Sequence, residues 1–166
     1  MTGDRAPDAT GGPPQGAPPV VHGAPRRVVL DTNVLVALYV FGDPRFAPMR
    51  ERLVRGKWLA LTDAACLAEF RRVLAYPQFG LSDGHQEAGF ADYAALALGI
   101  ARPAAAAVAP LPRCADRDDQ KFLELARDGG ADWLVTADKQ LLRLARRDRL
   151  RGLFRILTPD AALAES

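Results

Sequence analysis

Short apolar runs rich in β-branched residues alternate along this chain with longer segments whose apolar positions recur at helical spacing. Arg27-Val-Val-Leu30 reads as a buried strand that ends in the turn residues Asp31-Thr-Asn33. Residues 34–40 are apolar on every side and predict a buried helix, with Thr32 or Asn33 as its cap. Gly42-Asp-Pro44 stops that helix, and residues 45–55 predict an amphipathic one closed by Gly56. Trp58-Leu-Ala-Leu61 is a second strand, followed by a helix over residues 64–75 with Thr62 or Asp63 at its start. Cys66, Leu67, Phe70, Val73 and Leu74 form its apolar face. The spacing predicts another helix over 82–98 with Gly99 as its C-cap, then a weak third strand at 104–109. A helix opened by residues 116–119 runs through Arg127 to Gly129-Gly130. Trp133-Leu-Val-Thr136 is a strand, residues 139–145 a helix and Phe154-Arg-Ile-Leu157 a last strand. Thr158-Pro159 has the form of an N-cap with proline at N1.

Strands alternating with helices predict an α/β fold, a parallel central sheet in a three-layer α/β/α arrangement. Residues 1–25 break the pattern. They hold six Pro and five Gly with few large apolar groups, too little to offset the entropy of ordering. The expected organisation is a disordered tail over 1–25 and one domain over 26–166. No apolar run exceeds the eight residues of 34–41, well short of the roughly 18 a membrane helix needs. The first 25 residues also lack the apolar centre of a signal peptide, so a cytoplasmic protein is expected. Two cysteines, Cys66 and Cys114, are too few for a disulfide scaffold or a zinc site.

Charge changes the picture only locally. The formal net charge is +2, which does not make the whole chain a polyanion binder. Between Lys139 and Arg155, however, seven basic residues face a single acid, Asp148. Arg143, Arg146 and Arg147 within that stretch are candidates to track a phosphate backbone, and a solvated helix face is the plainer reading of the same charges.

The acids carry the chemistry. In open parallel sheets, ligands bind beyond the carboxyl ends of the strands. Asp31 directly follows the first strand, and Asp138 lies two residues past Thr136. Asp116, Asp118 and Asp119 open a helix, and Glu69 lies beside the buried stripe of its own helix. Carboxylates gathered at one place repel one another, and a hard divalent cation removes the conflict. Oxygen ligands favour Mg²⁺ or Mn²⁺ over zinc. Such an ion suits phosphodiester hydrolysis by water, since no Ser, Cys or His is set up as a nucleophile. Each acid also has a structural role open to it: helix capping is the ordinary use of Asp63 and Asp118 and a fair one for Asp138.

Four segments carry a family resemblance. Val28-Val-Leu-Asp31-Thr-Asn33-Val-Leu resembles the opening motif of PIN domains. Glu69 in Ala-Glu-Phe-Arg-Arg-Val-Leu is similar to their second acidic position, and the segment from Cys114 to Ala126 resembles their third. Leu134-Val-Thr136-Ala-Asp138-Lys-Gln-Leu-Leu142 resembles the fourth. The motifs occur in order from about Arg26 to Pro159. The branch they are most similar to holds toxin components of toxin–antitoxin pairs, related to VapC-like ribonucleases.

The resemblance implies a PIN-like fold and a ribonuclease activity. It further implies that Asp31, Glu69, Asp119 and Asp138 are catalytic and ligate Mg²⁺ or Mn²⁺, supported by Asn33, Thr136 and Asp116. Asp119 is taken as the third acid because it stands seven residues before Ala126. RNA is the implied substrate, an antitoxin protein the implied partner and a homodimer a common assembly. Two positions depart from the branch: Arg117 stands where Pro is frequent and Ala137 where Gly is common. Two other readings compete with the nuclease. One is a non-catalytic RNA- or protein-binding PIN module. The other is a phosphoryl-accepting domain with Asp31 as nucleophile, which Asn33 disfavours, because such domains place a second Asp there.

Overall fold

The structure, a computed structural model, describes residues 23–101 and 109–165. Five strands form one sheet: β1 (Arg26–Leu30), β2 (Trp58–Thr62), β3 (Ala97–Gly99), β4 (Trp133–Val135) and β5 (Arg155–Leu157). Every pairing is parallel, and the order across the sheet is β3-β2-β1-β4-β5. Among the described residues, seven α-helices connect and flank the strands: α1 (Thr32–Tyr39), α2 (Ala47–Val54), α3 (Ala64–Leu74), α4 (Asp83–Leu96), α5 (Gln120–Asp128), α6 (Lys139–Leu144) and α7 (Pro159–Ala164).

The two faces of the sheet follow from the period of two along each strand. Val28 and Leu30 of β1, Trp58 and Ala60 of β2, and Trp133 and Val135 of β4 point to one side. There they pack with Val34 and Leu35 of α1, Met49 of α2, Phe70 of α3 and Tyr93 of α4. Val29, Leu61, Leu134 and Ile156 point to the other side, against Phe122, Leu123 and Ala126 of α5 and Leu141 of α6. Strands buried on both faces read as near-continuous apolar runs, which is why β1 and β4 stand out in the sequence.

The strand order also creates the site. From β1 the chain winds outward through β2 to β3, then returns to the opposite side of β1 for β4 and β5. The loops after β1 and β4 therefore leave in opposite directions and open a crevice at the carboxyl ends of the two central strands.

Several expectations change. The helix expected over 82–98 stops at Leu96, and Ala97–Gly99 pairs with Ala60–Thr62 as the edge strand β3. Ala and Leu favour a helix, but the free edge of β2 offers backbone hydrogen bonds that local propensity cannot register. The strand expected at 104–109 falls mainly on residues 102–108, which lie outside the described residues, as do residues 1–22 of the expected tail. Helix α1 begins at Thr32, so Asp31 rather than Thr32 or Asn33 holds its N-cap position. Helix α5 begins at Gln120, after the acidic run instead of within it. No helix among the described residues is long and apolar enough to cross a membrane.

Candidate active site

Asp31 leaves the end of β1 with its backbone N–H still bound to the carbonyl of Val135 on β4, at 3.0 Å. Its backbone is extended, and its side chain does not cap α1 although it stands at the cap position. The carboxylate is turned across the crevice. Oδ2 accepts the hydroxyl of Thr136 at 2.6 Å and the Asn33 amide Nδ2 at 2.8 Å. The residue is only 4% exposed. Burial raises its pKa above the usual carboxylate value and the charge of Glu69 adds to the rise, with Thr136 and Asn33 pulling the other way.

Thr136 is fully buried. Its hydroxyl has one proton, which goes to Asp31, so it accepts from the backbone N–H of Asp138 at 2.9 Å. The Asp31 carboxylate and the Asp138 backbone are thus separated by no more than these two legs. Asn33 ties the same loops together a second time, its Oδ1 accepting from Ala137 N at 3.3 Å.

Asp138 caps α6, with Gln140 N at 2.6 Å and Leu141 N at 3.0 Å. Both donors fall on Oδ1, and Oδ2 has no partner among the described residues. Capping thus uses one oxygen and leaves the other available to a ligand.

Asp119 holds the N-cap position of α5 without capping it. Its pKa is raised to about 6, first by burial and then by the charges of Asp31, Asp116 and Asp138. That dependence places the third acidic motif in the field of the first and fourth. Asp116 is exposed and spends Oδ1 on the backbone N–H of Asp118, an Asx-type turn that shapes the approach to α5. Asp118 is exposed too.

Glu69 is committed differently. Oε1 accepts the Thr32 hydroxyl at 2.7 Å, and Oε2 forms a close ion pair with Lys121. Arg72 stands 3.9 Å away. Lys121 and Glu69 are only 16% and 15% exposed, and the ammonium also donates to the carbonyl of Asp118. Sequence reading missed Lys121. The available signal was its position: it is one of three lysines in an arginine-rich chain, two residues after Asp119 in the first turn of α5.

Both cysteines are buried. Burial pushes both thiols above their ordinary value, and both side chains are packed in the α5–α6 layer. Asp63 caps α3 by accepting Cys66 N at 2.8 Å.

Arg146 and Arg147 do not gather at the acids. Arg143 is exposed on α6. Arg146 and Arg147 line a groove of about 750 Å³, together with Arg26, Trp133 and Arg155. Those partners begin β1, β4 and β5, so the groove lies at the strand-start edge, opposite Asp31. A smaller cleft of about 280 Å³ flanks the acids between Glu69, Arg72, Asp118 and Lys121.

A parallel α/β sheet with helices on both faces and a crevice at its switch point defines a class of protein that binds ligands beyond the carboxyl ends of its strands. Within that class this chain belongs to the PIN domain family, whose model matches residues 27–140 and so includes all four acidic motifs. Domains of this family are usually nucleases and generally bind divalent metals. No curated protein matches the chain.

The residues suit such an ion in chemistry and charge. Asp31, Asp119 and Asp138 offer oxygen donors only, and the pKa of Asp119, raised first by burial, is raised further by the neighbouring acids, a repulsion that a cation relieves. Among the described residues, no three His, Cys, Asp or Glu side chains form a group able to hold a metal ion as they stand.

Proposed function

We propose that this chain is a metal-dependent endoribonuclease that hydrolyses RNA phosphodiester bonds. What carries the reading is the Thr136 hydroxyl joining the Asp31 carboxylate to the Asp138 backbone, with Asp119 in the field of both. Asp31, Asp119 and Asp138 would hold Mg²⁺ or Mn²⁺, and Glu69 completes the acidic set from the Lys121 side. Bound there, the ion supplies Lewis-acid stabilisation of the charge that builds on the phosphate.

The chain's own residues do the positioning. Thr136 and Asn33 fix the Asp31 carboxylate, and the α6 amides fix that of Asp138. Groups locked by such bonds need little reorganisation during reaction. Both thiols are buried, and in this reading water is the nucleophile. Arg143, Arg146 and Arg147 contribute charge that holds the RNA backbone. The same reading makes the chain the toxin of a toxin–antitoxin pair, acting in the cytoplasm as a homodimer restrained by an antitoxin protein. The purified chain is expected to cleave single-stranded RNA with Mg²⁺ or Mn²⁺ and to lose this on Asp31→Asn. Equal cleavage by that variant overturns the proposal.

One observation favours the alternative, a non-catalytic RNA- or protein-binding PIN module: the Glu69 carboxylate is already paired with a lysine. Tight RNA binding that ignores chelator and gives no turnover would select it.

A further inference from the structure

The groove at the strand-start edge holds positive charge that the protein compensates only in part. Five arginines line it: Arg26, Arg146, Arg147, Arg151 and Arg155. Three are engaged. Arg26 lies 3.7 Å from Asp132, Arg151 is 3.1 Å from Asp148, and Arg155 forms a two-pronged pair with Glu165. These pairs are exposed, and exposed pairs hold their partners weakly. Arg146 and Arg147 are exposed and have no carboxylate partner among the described residues.

We propose that this groove is a second RNA-binding site, a phosphate-binding exosite remote from the carboxylate edge. The inference rests on the proposed function, which already gives Arg146 and Arg147 to RNA, and deepens it by placing those contacts in a groove at the edge of the sheet opposite the acids. Size and layout argue for a strand with several phosphates over a single anion. The space is about 750 Å³, and its arginines come from the starts of β1 and β5 and from the loop between α6 and β5. Guanidinium groups match phosphate oxygens in a two-pronged geometry. The aromatic floor gives no stacking platform, since Trp133 and Phe154 are 2% and 6% exposed. Recognition here is therefore of the backbone and independent of sequence.

The location sets a length requirement. β1 has five residues, so the groove is roughly 15 Å from Asp31 at ~3.3 Å per residue. An RNA that reaches both places must pass round the outside of the sheet, because β1 between them is buried, so its path exceeds that distance. Longer RNA gains affinity from the exosite, and a dinucleotide does not.

The test is binding of a labelled 12-nucleotide single-stranded RNA by fluorescence anisotropy, in chelator so that nothing is cut, across a salt series. Replacing both Arg146 and Arg147 with Ala is expected to weaken binding about tenfold at low salt. The slope of log affinity against log salt should fall by roughly 1.4, about 0.7 for each lost phosphate contact to a single strand. Both side chains are exposed, and an unchanged melting temperature will show that the variant folds. Unchanged affinity and slope overturn the exosite, as does a poly-glutamate peptide that displaces the RNA from the wild-type groove at lower concentration than unlabelled RNA does. The two proposals fail separately. RNA cleavage with Mg²⁺ but no RNA binding in chelator overturns the exosite alone. RNA binding lost on the double substitution, with no cleavage under any divalent ion, upholds the exosite and overturns the nuclease.

Discussion

The hydroxyl of Thr136 donates to Oδ2 of Asp31 at 2.6 Å, joining residues 105 positions apart at the ends of adjacent strands. The same oxygen accepts from Asp138 N, so one fully buried atom serves both halves of the site. Thr136→Val keeps the shape and removes both bonds. It leaves a buried carboxylate short of a donor and an amide without an acceptor, a loss of about 1–3 kcal/mol. Urea unfolding is expected to show that loss, and RNA cleavage should drop with it. Thr136→Ser, which keeps the hydroxyl, should recover most of both. Full cleavage by the Val variant would mean that the hydroxyl does not position the acids.

That bond also shows where sequence reading succeeds and where it stops. Asp31 and Asp138 were legible because each follows a strand buried on both faces, and parallel strands aim their ends at one edge. Glu69 was legible as an acid beside a buried stripe, but its pairing with Lys121 depends on how α3 crosses α5. A spacing along the chain cannot encode that. Strand β3 escaped for a related reason: Ala97-Leu-Gly99 has helical propensity and becomes a strand only because β2 presents an open edge. Arg146 and Arg147 were legible as charge but not as position, because the loop after α6 carries them to the far end of the sheet.

Asp119 makes stability depend on pH. Its native pKa of about 6 exceeds the ordinary 3.8, so between those values the folded state binds more protons than the unfolded one. Stability from this group is therefore present at low pH and declines as pH rises through about 4 to 6. The buried Asp31 acts in the same direction. Thermal melts of metal-free protein should show Asp119→Asn melting higher than wild type at pH 7, with the gap closing near pH 4. A variant that melts lower at pH 7 would show that the carboxylate stabilises the empty site.

Lys121 and Glu69 form a largely enclosed ion pair at the flank of the acids. Lys121→Met leaves Glu69 with the Thr32 hydroxyl and the distant Arg72. The expected cost is about 1–3 kcal/mol, below that of breaking a fully buried pair, because both side chains keep some exposure. In exchange, the Glu69 carboxylate is released to compete for a cation. Titration calorimetry with Mn²⁺ should show tighter binding to the variant than to wild type. Equal affinity would separate Glu69 from the metal site and assign it a purely structural role.

Gly129 offers a test of the scaffold away from the chemistry. It follows α5 where the helix end lies against the sheet, and a Cβ there would come within 2.8 Å of Leu61 Cδ1 and 3.0 Å of the Leu125 carbonyl. Leu61 is 1% exposed and sits in the β2 row of the core, so it has little room to retreat. The carbonyl of Gly129 is meanwhile held by Arg27, at 2.7 Å from the guanidinium, which keeps the turn from shifting outward. Gly130 follows with φ +58°, so the pair cannot trade roles with a bulkier residue. Gly129→Ala is therefore expected to destabilise the fold by about 1–3 kcal/mol through overpacking. The turn lies at the strand-start edge, a strand length from Asp31, so cleavage per folded molecule should be unchanged when assayed well below the melting temperature. A neutral substitution by chemical denaturation would mean that α5 shifts freely on the sheet. Helix α5 would then be a poor anchor for Asp119, and the third acid would owe its place to the preceding loop instead.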